Sequence, residues 1–169
     1  MRRIMIFFVL VVACLAGPAW ALPAVGDDAP GFTFRDLGEP PNSVESTDLF
    51  AGKTTLLSFF ATWCKPCEKE MPELRALARE FQDRRFQVVF VSLDQLEADD
   101  IRTFLKDAGA EGSPALWDED GEAMGLYGVF SLPTNVLVDF SGKVQMAWQG
   151  YQEKQLYELR GVLEKLSPP

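Results

Sequence analysis

The sequence predicts an α/β domain built on a mixed β-sheet. Two continuous runs of apolar and β-branched residues, 53–60 and 88–93, each precede a stretch whose apolar residues recur at helical spacing. An order of strand, helix, strand, helix implies that the two strands pair in parallel. A third strand, 134–140, is followed by the turn Ser141-Gly142 and by residues 144–148, which indicates an antiparallel return.

The length and composition fit one globular domain. The chain has 169 residues, of which 47% are hydrophobic and 24% are charged, so it is long enough to bury a sizeable core. We find no internal repeat and no second domain in the sequence. The formal net charge of -9 disfavours nucleic acid and anionic membrane surfaces as partners, because both repel an acidic protein.

Residues 1–21 have the features of a signal peptide. Two arginines follow the first methionine, residues 4–16 are almost wholly apolar, and Ala19-Trp20-Ala21 has the small-x-small pattern of a cleavage site. We therefore expect cleavage after Ala21, which leaves residues 22–169 as the mature domain.

Two other fates of this segment stay open. Val11-Val12-Ala13-Cys14 resembles a lipobox, in which Cys14 is lipid-modified and becomes the new N-terminus. The third possibility is an uncleaved anchor, although the apolar run is short for a membrane span of about 20 residues. All three place the domain outside the cytoplasm, where disulfides persist.

The chain before the first long strand predicts a hairpin at one edge of the sheet. Residues 22–31 are rich in proline and glycine, residues 32–35 alternate as a short strand does, and residues 38–42 form a turn before a second short strand near Val44. The apolar run 53–60 that follows is typical of a central buried strand.

Three amphipathic helices are expected to pack on the sheet. The first runs from Glu68 to Arg84 and contains Pro72, which should kink it. The second follows the strand at 88–93, and the third closes the chain. A loose stretch through Pro114 and Trp117 and a short helix at 122–127 lie between the last two. The apolar positions are Met71, Leu74, Leu77, Ala78 and Phe81, then Ile101, Phe104 and Leu105, and finally Leu156, Leu159, Val162, Leu163 and Leu166.

The motif that points to chemistry is Cys64-Lys65-Pro66-Cys67, between the first buried strand and the first helix. A helix N-terminus favours negative charge, so Cys64 should ionise more easily than an isolated cysteine and act as a nucleophile. Cys67, about one helical turn further on, is placed to attack the mixed disulfide that Cys64 forms. The spacing therefore predicts thiol-disulfide exchange with other proteins.

Other uses of two cysteines are weaker. A structural zinc site needs four Cys or His ligands, but the chain has no histidine and the domain offers two thiols. A disulfide across so short a loop removes little entropy from the unfolded chain, which disfavours a purely structural bridge. A Cu(I) site stays open as an alternative, because two thiolates can hold that ion. We predict no cofactor and no resident metal.

Four segments of the chain carry a family resemblance. They are Phe59-Phe60-Ala61-Thr62-Trp63-Cys64-Lys65-Pro66-Cys67, Glu70-Met71-Pro72, Val91-Ser92-Leu93-Asp94, and Leu132-Pro133-Thr134 leading into Val136-Leu137-Val138-Asp139. Together they resemble the thioredoxin superfamily and, within it, the exported TlpA/ResA-like thiol-disulfide oxidoreductases. The resemblance covers residues 27–166. It implies a thioredoxin-like fold with helices on both faces of a central mixed sheet, an N-terminal β-hairpin and the central insertion of that group.

The resemblance also implies a substrate-binding surface around the cysteines. Leu132-Pro133 would be a cis peptide beside the sulfurs, with Pro133 in contact with the substrate and Leu132 offering backbone groups to its extended chain. Trp63 would provide a docking surface rather than pack in the core. Lys65 and Pro66 would bind substrate and tune the redox couple, with Lys65 favouring the thiolate and the acids at 68 and 70 opposing it.

An acid beside Cys67 is a further expectation. Thioredoxin carries a buried aspartate at the position of Ser58, and serine cannot take its role in deprotonating the second cysteine near neutral pH. The resemblance implies an acid from the segment after the second strand, so that Asp94, Glu97 or neither fills this place. We favour Asp94, and expect Asp94→Asn to slow the release of mixed disulfides at Cys67.

The resulting hypothesis is a disulfide reductase outside the cytoplasm, most simply in the bacterial periplasm. The resemblance implies exported proteins with disulfides as substrates, apocytochrome c among them, and a membrane-bound thiol reductant as electron donor. A thiol oxidase or isomerase on the same scaffold stays open. The peroxiredoxin pattern Pro-x-x-x-Thr-x-x-Cys is absent because residue 61 is alanine. The Cys-x-x-x-Cys spacing and distant histidine of Sco-type copper proteins are absent as well.

Overall fold

The computed structural model describes residues 21–166. The strands are β1 (Thr33–Asp36), β2 (Ser43–Glu45), β3 (Thr54–Phe60), β4 (Phe86–Ser92), β5 (Ala115–Trp117), β6 (Thr134–Val138) and β7 (Val144–Gln149). The helices are α1 (Ser46–Phe50), α2 (Lys65–Glu80), α3 (Ala98–Asp107), α4 (Ala123–Tyr127) and α5 (Glu153–Leu166), and a short 3-10 helix, Gln82–Arg84, follows α2.

These strands form one mixed sheet in the order β2-β1-β5-β4-β3-β6-β7. β3 pairs with β4 and β4 with β5 in parallel, whereas the other pairs are antiparallel. The hairpin of β1 and β2 lies at one edge, and β7 returns antiparallel to β6 at the other. Both features were predicted from the turn residues of the sequence.

The central strand supplies both halves of the core. β3 is buried along its whole length, and its side chains alternate between two hydrophobic clusters as strand geometry requires. Leu56 and Phe60 belong to the cluster that contains residues of α2, α3 and α5. Leu57 and Phe59 belong to the cluster that contains residues of α1, α4 and β1. Helices therefore cover both faces, which confirms the predicted thioredoxin-like fold class.

Two short elements were not predicted. β5 lies where the sequence indicated a loose stretch, and it forms because Ala115–Trp117 pair in parallel with the end of β4. α1 is a helix of five residues directly after β2. Elements this short carry too few residues for a periodic pattern, so only pairing or packing with distant residues defines them.

The first long helix has different ends from those predicted. It begins at Lys65 instead of Glu68, because Cys64 is its N-cap. It ends at Glu80 instead of Arg84, and the 3-10 helix is closed by Arg85, whose φ of 55° lies in the left-handed region. Pro72 lies inside this helix as expected.

One edge of the sheet collects the loops that matter for chemistry. Parallel β3 and β4 both end there, and antiparallel β6 begins there, since Phe59 pairs with Thr134 and Phe60 with Ser92. The loop after β3 leads to Cys64, the loop after β4 contains Asp94, and Pro133 precedes β6. We call this edge, which is formed by strand ends and not by an outer strand, the disulfide edge.

The predicted signal peptide up to residue 20, with Cys14, lies outside the described residues. Between residues 21 and 166, no helix combines the length and the apolar character that a membrane span requires.

Candidate active site

Cys64 and Cys67 form a disulfide at the start of α2, with their Cα atoms 5.3 Å apart. Cys64 has an extended backbone and caps the helix, because its Sγ accepts a hydrogen bond from Cys67 N at 3.2 Å. Pro66 is tolerated in the first turn, where its missing N–H has no partner to lose. The predicted position of the first sulfur at a helix N-terminus is confirmed.

An exposed tryptophan precedes the two buried cysteines. Trp63, the residue before Cys64, is 74% exposed and does not join the core. Cys67 is 1% exposed and belongs to the hydrophobic cluster with Met71 and Leu74. Cys64 is 4% exposed and belongs to the same cluster, so both cysteines are buried and the exposed surface next to them includes Trp63.

A buried acid lies one turn after Cys67. Glu70 is 1% exposed, and both of its carboxylate oxygens accept from Asn135 Nδ2, at 3.1 Å and 3.0 Å. Residues three apart on a helix share a face, so Glu70 lies on the same side of α2 as Cys67. Asn135 belongs to β6 and pairs with Ser58 of β3 on one side and with Trp148 of β7 on the other.

Burial raises the pKa of Glu70 to about 7, from an ordinary value of 4.5. The negative charge of Glu73 contributes to that rise in a minor way, and the hydrogen bonds from Asn135 oppose it. The side chain of Trp148 opposes the rise in pKa as well. Its Nε1 is buried and forms no regular hydrogen bond among the described residues. Near neutral pH this carboxyl group can therefore both hold and release a proton.

Glu70 was missed as a site residue by the reasoning from sequence, which treated it as a charge in the first helical turn. A signal for it was present. Residues 67, 70, 71, 74 and 77 follow one helical stripe, and the structure buries all five. A glutamate within a buried stripe needs a polar partner or a raised pKa, which makes such a residue a functional candidate.

Asp94 is buried at the disulfide edge, and its carboxylate contacts Thr62 in the loop before Cys64 and Ser92 at the end of β4. Its Oδ2 accepts from Thr62 N at 2.9 Å and from Ser92 Oγ at 2.9 Å, and its Oδ1 accepts from Thr62 Oγ1 at 3.0 Å. Glu97 is exposed before α3. The acid role that the resemblance implied for this segment stays a prediction, and the buried acid on the helix face of Cys67 is Glu70.

Lys65 is exposed and forms an ion pair with Glu68, with Nζ 2.8 Å from Oε2. An exposed pair of this kind is screened by solvent, so the charge of Lys65 is partly compensated before it acts on Cys64. Its contact with substrate, like that of Pro66, stays a prediction. Both side chains are accessible to a partner, because Lys65 and Pro66 are exposed.

The Leu132–Pro133 peptide bond is cis, as the resemblance implies. Pro133 is buried, and its carbonyl oxygen accepts from Gly150 N at 2.7 Å. Leu132 is partly buried and packs against the cluster that includes both cysteines. The two residues lie at the disulfide edge, directly before β6, and their contact with a substrate remains a prediction.

A second polar contact joins α2 to the loop after β7. Tyr151 Oη donates to Glu73 Oε1 at 2.8 Å, and this hydrogen bond, with the nearby negative charges, raises the pKa of Tyr151 to about 12. Glu73 is one turn beyond Glu70.

No group of three or more Cys, Asp or Glu side chains between residues 21 and 166 is arranged to hold a metal ion.

Comparison with known proteins places this site in a family. The AhpC/TSA family matches residues 25–147. The thiol-disulfide oxidoreductase ResA of Bacillus thuringiensis subsp. konkukian is 35% identical over 144 residues, which cover 85% of this chain and 79% of that protein.

Solved structures of other thiol-disulfide oxidoreductases are similar to this chain. A crystal structure described as the thiol:disulfide interchange protein DsbE from Chlorobium tepidum has a TM-score of 0.75 at 29% identity, covering 86% of this chain and 99% of that one. The thioredoxin domain of a thiol-disulfide oxidoreductase from Bacteroides vulgatus has a TM-score of 0.71 at 27% identity, with the same coverage of 86% and 99%. With a Cys64–Cys67 disulfide at a helix N-terminus, the chain belongs to the AhpC/TSA family and is a thiol-disulfide oxidoreductase of the ResA and DsbE type.

Proposed function

We propose that this oxidoreductase is a disulfide reductase that acts on exported proteins outside the cytoplasm. In the reduced protein, the Cys64 thiolate attacks a substrate disulfide. A bond forms between Cys64 Sγ and one substrate sulfur, and the other substrate sulfur leaves as a thiolate that takes up a proton. The product of this step is a mixed disulfide.

The second step releases the substrate. The Cys67 thiol gives its proton to the Glu70 carboxylate, and the resulting thiolate attacks Cys64 Sγ. The internal disulfide forms, and the second substrate sulfur leaves as a thiol after it takes up a proton. The substrate gains two electrons and the Cys64/Cys67 pair loses two. A membrane-bound thiol reductant would return the pair to its reduced form.

The single observation that carries the direction of the reaction is the burial of Glu70 on the same helix face as Cys67. Whatever stabilises a thiolate in the reduced protein makes the disulfide a better oxidant. A buried carboxylate beside the cysteine pair disfavours a thiolate. The positive charge of Lys65, which favours a thiolate, is weakened by its ion pair with Glu68. Both effects favour a low reduction potential.

The reduction potential of the Cys64/Cys67 couple tests this proposal. The domain is equilibrated with dithiothreitol or glutathione buffers, and the reduced fraction is measured. A value near or below about -230 mV supports a reductase, whereas a value above about -150 mV assigns the protein to the oxidases or isomerases.

The substrates we propose are exported proteins with exposed pairs of cysteines, and the resemblance to the TlpA/ResA group supports apocytochrome c among them. An oxidised peptide with a Cys-x-x-Cys-His segment provides the probe. We expect the reduced protein to reduce it faster than a peptide of the same composition with scrambled sequence. Equal rates for the two peptides would remove apocytochrome c as a preferred substrate.

Export is the remaining part of the proposal, and it rests on the sequence pattern of residues 1–21. Mass spectrometry of the protein produced from the full chain in a bacterium separates the three fates. A chain that begins at Leu22 supports a soluble periplasmic protein, and a lipid-modified Cys14 supports a lipoprotein. An intact N-terminus in the membrane fraction supports an anchor. An intact chain in the cytoplasm would contradict export.

A further inference from the structure

Asp94 is a buried carboxylate whose contacts all lead to the disulfide edge. Its exposed fraction is 5%, and within residues 21–166 no cation lies within ion-pair distance of it. A buried charge without a counterion persists only when hydrogen bonds compensate for its lost hydration. Three such bonds reach this carboxylate, and two of them come from Thr62.

The backbone of Asp94 is held as firmly as its side chain. Its N–H donates to Ser92 Oγ at 3.2 Å, and its carbonyl oxygen accepts from Trp117 Nε1 at 2.7 Å. Ser92 ends β4, and Trp117 ends β5. Asp94 therefore joins the ends of two parallel strands to the loop that follows a third, β3.

That loop carries the nucleophile. Thr62 lies between the end of β3 and Cys64, and Cys64 N donates to Ala61 O at 3.0 Å to form a tight turn around it. Asp94 binds Thr62 twice, through the backbone N–H and through the hydroxyl group. Because only Trp63 separates Thr62 from Cys64, the position of Thr62 determines how the chain enters the N-cap of α2.

We propose that Asp94 is a positioning residue, which holds the turn 61–64 so that Cys64 Sγ stays at the N-terminus of α2. In this role the carboxylate acts through its hydrogen bonds to Thr62. A displacement of a reacting group by about 1 Å can cost a reaction about 100-fold, so loss of this support slows attack by Cys64. This role concerns thiol-disulfide exchange in either direction, and a failure of the reductase proposal leaves it intact.

The test isolates the attack step. In a Cys67→Ser background, the reduced protein is mixed with a dipyridyl disulfide, and Cys64 displaces one pyridinethiolate as it forms the mixed disulfide. Stopped-flow absorbance gives the rate constant. We expect Asp94→Ala to slow it about 10-fold or more. We expect Asp94→Asn to stay within about threefold of the parent, since an amide oxygen still accepts from Thr62 N and its NH₂ group can donate to Thr62 Oγ1.

The matched control is Asp139→Ala. Asp139 also holds a turn, with its carboxylate accepting from Ser141 N, Ser141 Oγ, Lys143 N and Gln145 Nε2, but it follows β6 at the opposite edge of the sheet. We expect this variant to lose stability and to keep the parent rate of attack. A merely structural role for Asp94 would give the same result in Asp94→Ala, namely a lower stability and an unchanged rate for the folded protein.

Two outcomes overturn the proposal. A folded Asp94→Ala protein that attacks within about twofold of the parent rate shows that the turn does not need Asp94. An Asp94→Asn protein as slow as Asp94→Ala shows that the charge, and not the hydrogen bonding, is required. If Asp94→Ala does not fold, Thr62→Val decides in its place: attack slowed threefold or more supports the proposal, and an unchanged rate overturns it.

Discussion

Asn135 donates from one side-chain nitrogen to both carboxylate oxygens of Glu70. The two residues come from different elements, β6 and α2. Asn135 is paired with Ser58 of β3 on one side and with Trp148 of β7 on the other, so the contact holds the acid against the middle of these three strands. Thioredoxin has its buried aspartate at the position of Ser58. Here the acid of this region comes from α2, the helix that carries the cysteines. β3 supplies a serine, and the neighbouring strand β6 supplies the amide that holds the acid.

The first prediction concerns Glu70→Gln, which keeps the shape of the side chain and removes its ability to take a proton. We expect the release of a mixed disulfide by Cys67 to slow about 100-fold near neutral pH, since positioned acids and bases contribute about 100-fold or more. Attack by Cys64 should change little. Rapid mixing followed by acid quench and mass spectrometry would reveal an accumulated mixed disulfide.

Glu80→Gln is the matched control for this experiment. Glu80 is an exposed glutamate at the far end of the same helix, where it pairs with Arg160. We expect the control to release substrate at the native rate. Native release by Glu70→Gln itself would show that another group, such as solvent, accepts the proton of Cys67.

The second prediction concerns Asn135→Ala and the pH dependence of release. The carboxylate of Glu70 accepts the proton, so release should become faster as the pH rises through its pKa of about 7. Hydrogen bonds from Asn135 lower this pKa, and their removal should move the midpoint to higher pH. Stopped-flow rates of release across the pH range would measure the midpoint.

The same change made together with Glu70→Gln provides the control for the second prediction. A protein without the carboxyl group should show no shift when Asn135 is replaced. A shift of equal size in that background would assign the titration to a different group.

The third prediction concerns stability. The pKa of Glu70 in the folded protein, about 7, lies above its ordinary value of 4.5, so the folded state binds the proton more tightly than the unfolded state. Below pH 4.5 the carboxyl group is protonated in both states, and the full contribution of this group to the free energy of unfolding is present. As the pH rises through about 7, burial of the ionised group costs about 3 kcal/mol.

Denaturant unfolding of the oxidised protein tests this at about pH 4 and about pH 8. We expect the native protein to lose about 3 kcal/mol more between these conditions than Glu70→Gln, whose side chain does not titrate. Parallel pH profiles for the two proteins would mean that Glu70 is not buried in its ionised form.

The fourth prediction concerns Trp63, whose side chain is exposed beside the nucleophile. An exposed indole contributes contact area to a bound protein but none to a small disulfide. We expect Trp63→Ala to raise KM for protein disulfides about 10-fold, and to leave the rate with a dipyridyl disulfide within about twofold. Steady-state reduction of insulin, beside the small probe, measures both.

Tyr157→Ala is the control for the fourth prediction. Tyr157 is 79% exposed, comparable with Trp63, but it belongs to α5. Its removal should not change KM for insulin. An equal effect of the two variants would show a general loss of surface area instead of a docking site next to Cys64.

Long patterns in the sequence were enough for most of the fold. The strands at 53–60 and 88–93 and the three amphipathic helices repeat their apolar residues often enough to predict both the element and its buried face. β5 and α1 could not be predicted in this way. Three residues of β5 become a strand because the end of β4 offers free backbone groups to them, and that pairing joins residues far apart in the sequence.

The sequence by itself determined the chemistry, because it is local: two cysteines three positions apart, between a buried strand and a helix, define a redox pair wherever the remainder of the chain lies. The tertiary structure decided which acids are buried and what they contact. Glu70 became a buried acid only when Asn135, 65 positions away, met it across the sheet. Asp94 became the support of the nucleophile's loop only when Thr62, 32 positions away, came to lie beside it. Burial and hydrogen bonding determine what a carboxyl group does, and both arise from contacts between residues that are distant in the sequence.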